Sequence, residues 1–238
     1  MPSTCSQTPE PDPRSKAAAL RRERMRQRLL EAVLELYQPG HTPQHVLVDD
    51  VIKLANVSRG SFYKYFDSVD AVVAELAEAM TLGMINDYLR LFEGISDPLV
   101  RAVGGAMMVM LRALHDPRWG GFTCRIDFVD YFARERAFDV MVRDALEVAR
   151  AQGRIMFTSV DVAVDLIVGM TIEARRRLVR GVGDPHAYMV EMLQCTFCGL
   201  AAARDDVVLA CKQVRLRLSQ EATTLEWWTN SIGDGGSA

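Results

Sequence analysis

The chain has 238 residues, of which 49% are hydrophobic and 25% charged, with a formal net charge of −3, enough to bury one large core or two modest ones. Charged residues such as Arg112 and Asp165 interrupt its apolar runs, so we expect no transmembrane span and no membrane partner. The five cysteines lack framework spacing and the N-terminus lacks an apolar signal core, which together predict a cytoplasmic protein.

The N-terminal segment is strongly basic. Residues 1–13 contain four prolines and are predicted to form a disordered arm. From Arg14 to Arg28, seven basic residues minus the single Glu23 give a local charge of +6, as a surface that faces DNA requires. Arg24 and Arg28 are therefore candidate DNA contacts, although an ordinary solvated charged helix remains the alternative.

The first helix is predicted from an apolar stripe, with the arginines at or before its start. The stripe comprises Met25, Leu29, Val33, Leu36 and Tyr37. Residues 38–45 contain prolines and a glycine and are predicted to form a loop.

The segment from Val48 to Val73 predicts two short helices joined by a tight turn. Val48, Val51, Ile52 and Ala55 recur at helical spacing. Asn56 tolerates a left-handed backbone and Ser58 is a favourable N-cap, so a second helix is expected from about Arg59 to Tyr65. Ser68 is the expected N-cap of the helix that follows.

Phe62 and Phe66 lie four residues apart and are expected to face inward. The outward positions are then Arg59, Gly60, Ser61, Tyr63, Lys64 and Tyr65. Arg59 suits a bidentate contact to guanine or a contact to phosphate, and the hydroxyl and ammonium groups suit phosphate oxygens. Gly60 would let the backbone approach the DNA. The alternative is a helical hairpin in an ordinary bundle, whose polar face is merely solvated.

The run SRGSFYKYFDSVDAV resembles the recognition-helix signature of the TetR family of bacterial transcriptional regulators, and the resemblance covers roughly residues 27–73. It implies an all-helical, two-domain homodimer that binds operator DNA and releases it when a small molecule enters the C-terminal domain. Carried over by position, it assigns the DNA contacts to the same six residues, from Arg59 to Tyr65. Two positions depart from the pattern. Leu47 and Val48 stand where the family usually has a capping Ser or Thr, and Val69 stands where it usually has Lys.

The rest of the chain is predicted to be all-α. The expected helices are 69–93, 97–115, 126–152, 161–180, 186–203 and 205–221, separated by joints such as Asp116-Pro117. The predicted domains are residues 14–67 for DNA binding and 68–228 for effector binding and dimerisation, with a flexible tail at 229–238.

A methionine-rich segment, residues 106–111, and the aromatic residues after it are expected to line an adaptable pocket for a mainly hydrophobic or aromatic effector, or else to form plain core. The candidates are Met107, Met110, Leu111, Trp119, Phe122, Phe128, Tyr131 and Phe132, with Glu173 or Arg112 as polar anchors. The helix from Ser68 to about Phe92 is expected to couple ligand occupancy to DNA binding.

Two late helices carry more apolar surface than one exposed face needs, so we expect them to form a homodimer interface. The candidates are Leu166, Gly169, Met170, Met192, Phe197 and Leu200. Cys195 and Cys198 lie within a helical pattern without a nearby histidine, so we expect neither a metal site nor any other cofactor. Nor does the sequence contain a recognisable catalytic motif.

Taken together, these patterns predict a ligand-responsive DNA-binding regulator, most simply a repressor, and not an enzyme. A helical small-molecule-binding protein or enzyme without sequence-specific DNA binding is the alternative. A regulator that has lost its effector is a third interpretation.

Overall fold

The structure is a computed structural model that describes residues 13–38, 46–126 and 136–229, and all regular elements in these ranges are helical. The α-helices are α1 (Pro13–Leu36), α2 (Val48–Ala55), α3 (Arg59–Phe62), α4 (Val69–Leu91), α5 (Pro98–His115), α6 (Pro117–Arg125), α7 (Arg136–Ala151), α8 (Val160–Arg180), α9 (Pro185–Gly199) and α10 (Arg204–Gln220). A short 3-10 helix, Ala222–Thr224, follows. The predicted all-α class is confirmed. Within the described ranges, none of the helices is both long and apolar enough to cross a membrane.

The described chain divides into two compact units. The first contains residues 13–36 and 46–73, and the second contains residues 37–38, 74–126 and 136–229. Helix α4 contributes its first five residues to the first unit and the rest to the second. The sequence analysis predicted a domain boundary after residue 67, six residues before the observed division after Val73.

The first unit is a small helical cluster in which α1 packs on α2 and α2 packs on α3. Its core contains Leu29, Val33, Val51 and Phe62, all fully buried. The described residues of α1 before Met25 are exposed. Only the second half of this helix is therefore held by packing.

Helix α1 begins earlier than the sequence analysis predicted. The arginines were expected at or before the start of the helix, but the helix begins at Pro13 and includes them all. The apolar stripe indicates only the part of α1 that packs against other residues. Upstream of it, alanine and arginine have high helix propensity and extend the helix without packing. The basic residues are consequently displayed at helical spacing along the first half of α1.

The second unit is organised around α5, which contacts α6, α7, α8, α9 and α10. Thirteen of its eighteen residues are buried, so it is apolar on nearly every side. Asp97 caps its N-terminus by accepting a hydrogen bond from the backbone N–H of Leu99, and Pro98 occupies the first helical turn.

Most predicted helix boundaries in the second unit lie within two residues of the observed ones. Helix α9 ends four residues early, because Ala201 adopts a left-handed conformation (φ 60°) and the backbone N–H of Ala202 bonds back to the carbonyl of Phe197. Helix α6 was missed. Asp116-Pro117, predicted to be only a joint, also starts a helix, since the Asp116 carboxylate accepts a hydrogen bond from the N–H of Trp119. Of the predicted helix 126–152, residues 127–135 lie outside the described residues.

Gly104 on α5 provides a test of this packing. A Cβ atom there would lie 2.3 Å from the Phe92 ring, so Gly104→Ala should reduce the free energy of unfolding by about 1–3 kcal/mol in urea denaturation. The matched control is Gly83→Ala on α4, whose Cβ would meet only the Arg112 guanidinium at 3.9 Å. This control should be neutral or stabilising by up to about 1 kcal/mol. Equal stability of the two variants would contradict the close packing of Gly104 against the Phe92 ring.

Candidate nucleic-acid interface and ligand cavity

The turn between α2 and α3 has the local chemistry that the sequence predicted. Asn56 ends α2 in the left-handed conformation (φ 50°, ψ 55°), and the Ser58 hydroxyl accepts a hydrogen bond from the N–H of Ser61 at 3.1 Å. Ser68 likewise accepts from the N–H of Ala71 at 3.1 Å, in the cap position of α4. These residues fix where α2 ends and where α3 and α4 begin.

Two buried phenylalanines set which face of α3 is outward. Phe62 is 0% exposed and Phe66 is 5% exposed, and their rings lie 6.3 Å apart. Tyr63 is consequently 51% exposed and Lys64 is exposed, whereas Tyr65 is half-buried. A Cβ atom on Gly60 would meet only the Ser58 hydroxyl, at 4.0 Å, so the space beside this glycine is open.

Arg59 and Ser61 have partners inside the first unit. The Arg59 guanidinium donates to the Asp49 carboxylate at 2.9 Å, but both side chains are more than half exposed. An ion pair this exposed is weak, so the guanidinium can exchange Asp49 for a nucleic-acid oxygen at little cost. The Ser61 hydroxyl lies 2.9 Å from that of Ser58.

The positions that depart from the family pattern have no phosphate-binding side chains. Leu47 occupies the N-cap position of α2, and its own backbone N–H donates to the Asp50 carboxylate at 2.9 Å. Val69 is buried in the first unit. Neither of these two positions therefore offers a side-chain hydrogen-bond donor.

Helix α1 contributes to a cleft beside the end of α3. The cleft is lined by Arg22, Glu23, Arg26, Lys64 and Tyr65, so three cations and a phenol surround one carboxylate. The Arg26 guanidinium packs over the Phe66 ring at 4.9 Å, which holds it near this cleft. Sequence reasoning missed Arg22 and Arg26, although their spacing of four residues places them on one face of a helix.

The arginines selected from the sequence lie elsewhere on α1. Arg24 is exposed, and Arg28 reaches the backbone carbonyl of Asn56 at 3.5 Å. Arg28 thus contacts the end of α2, whereas the structure does not place Arg24 in the cleft lining.

The second unit contains a cavity of about 60 Å³ formed by α4, α5, α7 and α8. Its lining consists of Met84, Tyr88, Arg101, Ala102, Gly105, Ala106, Met108, Val109, Met141, Val142, Ala145, Leu146, Ile167, Val168 and Thr171. Except for the tyrosine, the arginine and the threonine, these residues are apolar.

None of the ligand residues selected from the sequence lines this cavity, as far as the structure describes them. Met107, Met110, Leu111, Trp119 and Phe122 are fully buried in the core of the second unit. The methionine-rich segment does reach the cavity, but through Ala106, Met108 and Val109. Phe128, Tyr131 and Phe132 lie outside the described residues.

The two proposed polar anchors also lie elsewhere. Glu173 is exposed and pairs with Arg176 at 3.7 Å. Arg112 packs between the Trp119 and Trp227 rings, at 5.1 and 5.8 Å, and burial lowers the pKa of its guanidinium. Neither residue lines the cavity.

The sequence analysis did not identify the polar residues that line the cavity. Tyr88 and Arg101 are on α4 and α5, upstream of the segment that the sequence singled out. The only sequence signal for these two residues was their spacing. Tyr88 lies four residues after Met84, and Arg101 four residues before Gly105, so each pair shares one face of its helix. The Tyr88 hydroxyl donates to the Arg101 backbone carbonyl at 3.2 Å, and burial raises the pKa of this phenol.

The residues selected for a dimer interface fall into two groups. Gly169 is exposed, and Leu166, Met170 and Met192 are half-buried. Phe197 and Leu200 are buried inside the second unit itself.

Of the cysteines on α9, Cys195 is exposed and Cys198 half-buried. The described residues contain no cluster of three or more His, Cys, Asp or Glu side chains that could hold a metal ion.

The fold is that of TetR-family regulators. RolR bound to resorcinol has a TM-score of 0.62 with 19% identity, over 82% of this chain and 96% of RolR. An ArpA-like gamma-butyrolactone receptor has a TM-score of 0.56 with 16% identity, over 82% of this chain and 98% of the receptor. TylP, a TetR regulator from Streptomyces fradiae, has a TM-score of 0.54 with 17% identity, over 85% of this chain and 98% of TylP. By sequence, the chain matches no protein-family model and no curated protein. At these identities the likeness establishes the fold alone.

The Ser58 cap provides a test of the α2–α3 geometry. Ser58→Ala removes the acceptor for the Ser61 N–H and should destabilise the segment locally by about 0.5–2 kcal/mol. Amide hydrogen exchange of residues 58–66 should therefore be faster in this variant. Ser58→Asp retains a capping acceptor and should exchange at nearly the original rate. Unchanged protection in Ser58→Ala would show that the cap does not hold α3.

Proposed function

We propose that the protein is a ligand-responsive transcriptional regulator, most simply a repressor. In this proposal it binds a palindromic operator as a homodimer. A small, mainly hydrophobic or aromatic effector enters the second unit and releases the DNA. The observation that carries the proposal is the capped α3 with the turn that follows it, in which Arg59, Tyr63 and Lys64 are exposed while Phe62 and Phe66 are buried.

The chemistry of the first unit supports double-stranded DNA as the partner. A short helix with an open glycine, an exposed tyrosine and two cations suits the major groove, where side chains read base edges. The cleft formed by Arg22, Arg26, Lys64 and Tyr65 lies beside it, and its cations suit backbone phosphates. In this arrangement α3 reads sequence while α1 and the cleft fix its position on the duplex.

The second unit supports the ligand-responsive part of the proposal. A largely apolar cavity with three polar residues has the composition expected of a small-molecule site. RolR, one of the structural neighbours, is solved with resorcinol, a single-ring aromatic compound. The ligand must bind the DNA-incompetent state more tightly, since otherwise the equilibrium does not shift.

The alternative, a helical small-molecule-binding protein or enzyme, accounts for the cavity but gives no role to the first unit. A regulator without an effector accounts for the first unit but gives no role to the cavity. The exposed cations and tyrosine of the first unit favour a nucleic-acid partner over the first alternative, and the apolar cavity favours a ligand over the second.

The direct test is selection of duplex DNA from a random pool by the purified full-length protein. We expect enrichment of a palindrome whose half-sites are centred about one helical turn, roughly 34–36 Å, apart or a multiple of it. Enrichment of no sequence after repeated rounds would refute a specific operator.

Lys64 allows a quantitative test with the selected duplex. Lys64→Met should weaken operator binding several-fold and reduce the slope of log affinity against log salt by about 1, because one phosphate contact is lost. The control is Lys212→Met, an exposed lysine on α10 of the second unit, which should leave the affinity and the slope unchanged. If both variants bound the operator as the unaltered protein does, Lys64 would not contact the DNA.

The homodimer is tested through Val162, which is 65% exposed on the same helix as Leu166 and Gly169. Val162→Arg would place a charge in the proposed α8 interface, and light scattering at micromolar concentration should then show a shift from dimer to monomer. Leu209→Arg alters a residue that is 55% exposed on α10 and should remain dimeric. A monomeric unaltered protein would contradict the proposed two-fold interface.

A further inference from the structure

The cavity of the second unit contains one charged side chain, Arg101, among the lining residues that the structure describes. Tyr88 and Thr171 are the other polar groups. The Thr171 hydroxyl donates to the backbone carbonyl of Val168 at 2.9 Å, so its proton is used within its own helix. The positive charge of Arg101 is therefore the dominant polar feature of this space.

Several arginines of the second unit have an acidic partner, whereas the described ranges give Arg101 none. Arg143 pairs with Asp139 at 2.7 Å, and Arg154 pairs with Asp97 at 3.1 Å. The Arg101 Nε atom is shielded from solvent without a hydrogen-bond partner, and across the described ranges no carboxylate forms a salt bridge with this guanidinium. Arg101 as a whole is half-buried, and a ligand that brings an anion to its guanidinium gains a charge-assisted contact.

The Tyr88 hydroxyl does not supply this anion. It is buried, it donates its proton to the Arg101 backbone carbonyl at 3.2 Å, and burial raises its pKa, although the nearby Arg101 guanidinium opposes this effect. The phenol is consequently neutral near pH 7. It lies within hydrogen-bonding reach of the Arg101 side chain but, being neutral, supplies no negative charge to it.

An outer groove provides a route for a charged molecule. Arg101, Met141 and Ala145 line both the cavity and this groove, so the guanidinium lies where the two spaces meet. Asp144 also lines the groove, but it is exposed and is not part of the cavity lining. A ligand can place its apolar end inward and keep its charged end at Arg101.

The size and the remaining lining restrict the apolar end. A cavity of about 60 Å³ holds roughly four to six water-sized atoms, which corresponds to a single small ring. Met84, Met108 and Met141 surround this space, and their unbranched, polarisable side chains adapt to a flat ring.

We infer that the effector is a small single-ring molecule that carries a carboxylate or an equivalent anion, with the anion bound by Arg101 and the ring held among the methionines. The inference rests on the proposed function, since it specifies the ligand class of the same site. It adds that charge, and not apolar character alone, determines which small aromatic molecules the protein accepts.

The test uses the full-length protein and isothermal titration with benzoate and benzyl alcohol, which share a ring and are similar in size. Benzoate should bind at least about tenfold more tightly, since a charge-assisted contact adds about 1.4 kcal/mol or more. Arg101→Met should abolish this preference, and Arg101→Lys, which retains the charge, should preserve part of it. Arg177→Met, at an exposed arginine of α8, should behave as the unaltered protein.

Three results would overturn the inference. These are the absence of measurable benzoate binding, equal or tighter binding of benzyl alcohol, and an undiminished benzoate preference in Arg101→Met. The first two concern the unaltered protein, so they decide the matter even if an Arg101 variant does not fold. Because the titration contains no DNA, failed operator selection with a clear benzoate preference refutes only the regulator proposal. Successful operator selection without a benzoate preference refutes only the proposed ligand class.

Discussion

The candidate nucleic-acid interface depends on the burial of Phe62 and Phe66. Helix α3 has only four residues, too few to be stable through its own backbone hydrogen bonds. The two rings anchor it from inside, while Ser58 caps its start and the left-handed Asn56 sets the preceding turn. With both rings buried and the Phe66 N–H bonded back to the Phe62 carbonyl, the turn between them leaves Tyr63 and Lys64 exposed. The same residues that stabilise α3 therefore determine which side chains of this segment are exposed.

A related constraint governs the second unit, where the central α5 is buried on most of its faces. A charged side chain on such a helix is costly unless it is paired. Arg112 meets this requirement through the rings of Trp119 and Trp227, with Asp116 nearby. Arg101 has no such pairing among the described residues. Of these two arginines, only Arg101 lines the cavity. This contrast between two arginines on one helix supports the proposal that Arg101 faces the ligand.

Local signals explain what could be predicted from the sequence. The turn at Asn56, the caps at Ser58 and Ser68 and the inward phenylalanines depend on residues within a few positions of one another, so spacing alone revealed them. Helix α6 was missed because Asp116-Pro117 can equally end one helix or start the next. The cavity was misplaced along α5 because its lining comes from four helices far apart in sequence. A methionine-rich segment indicates adaptable packing, but only the fold determines which of its side chains face the empty space.

Helix α4 gives the proposed regulation a physical basis within each unit. Its first turn buries Val69 and Val72 in the core of the first unit, and Tyr88, four turns later, lines the cavity of the second. A ligand that draws the Arg101 guanidinium towards its own anion acts on the same turn of α5 whose carbonyl receives the Tyr88 hydrogen bond. Tyr88 belongs to α4, so a ligand-driven change at Tyr88 acts on the same helix whose first turn is buried in the first unit. Typical allosteric coupling is only about 1–3 kcal/mol, so a modest difference in the Arg101–anion contact between two positions of α4 would be enough to alter operator affinity.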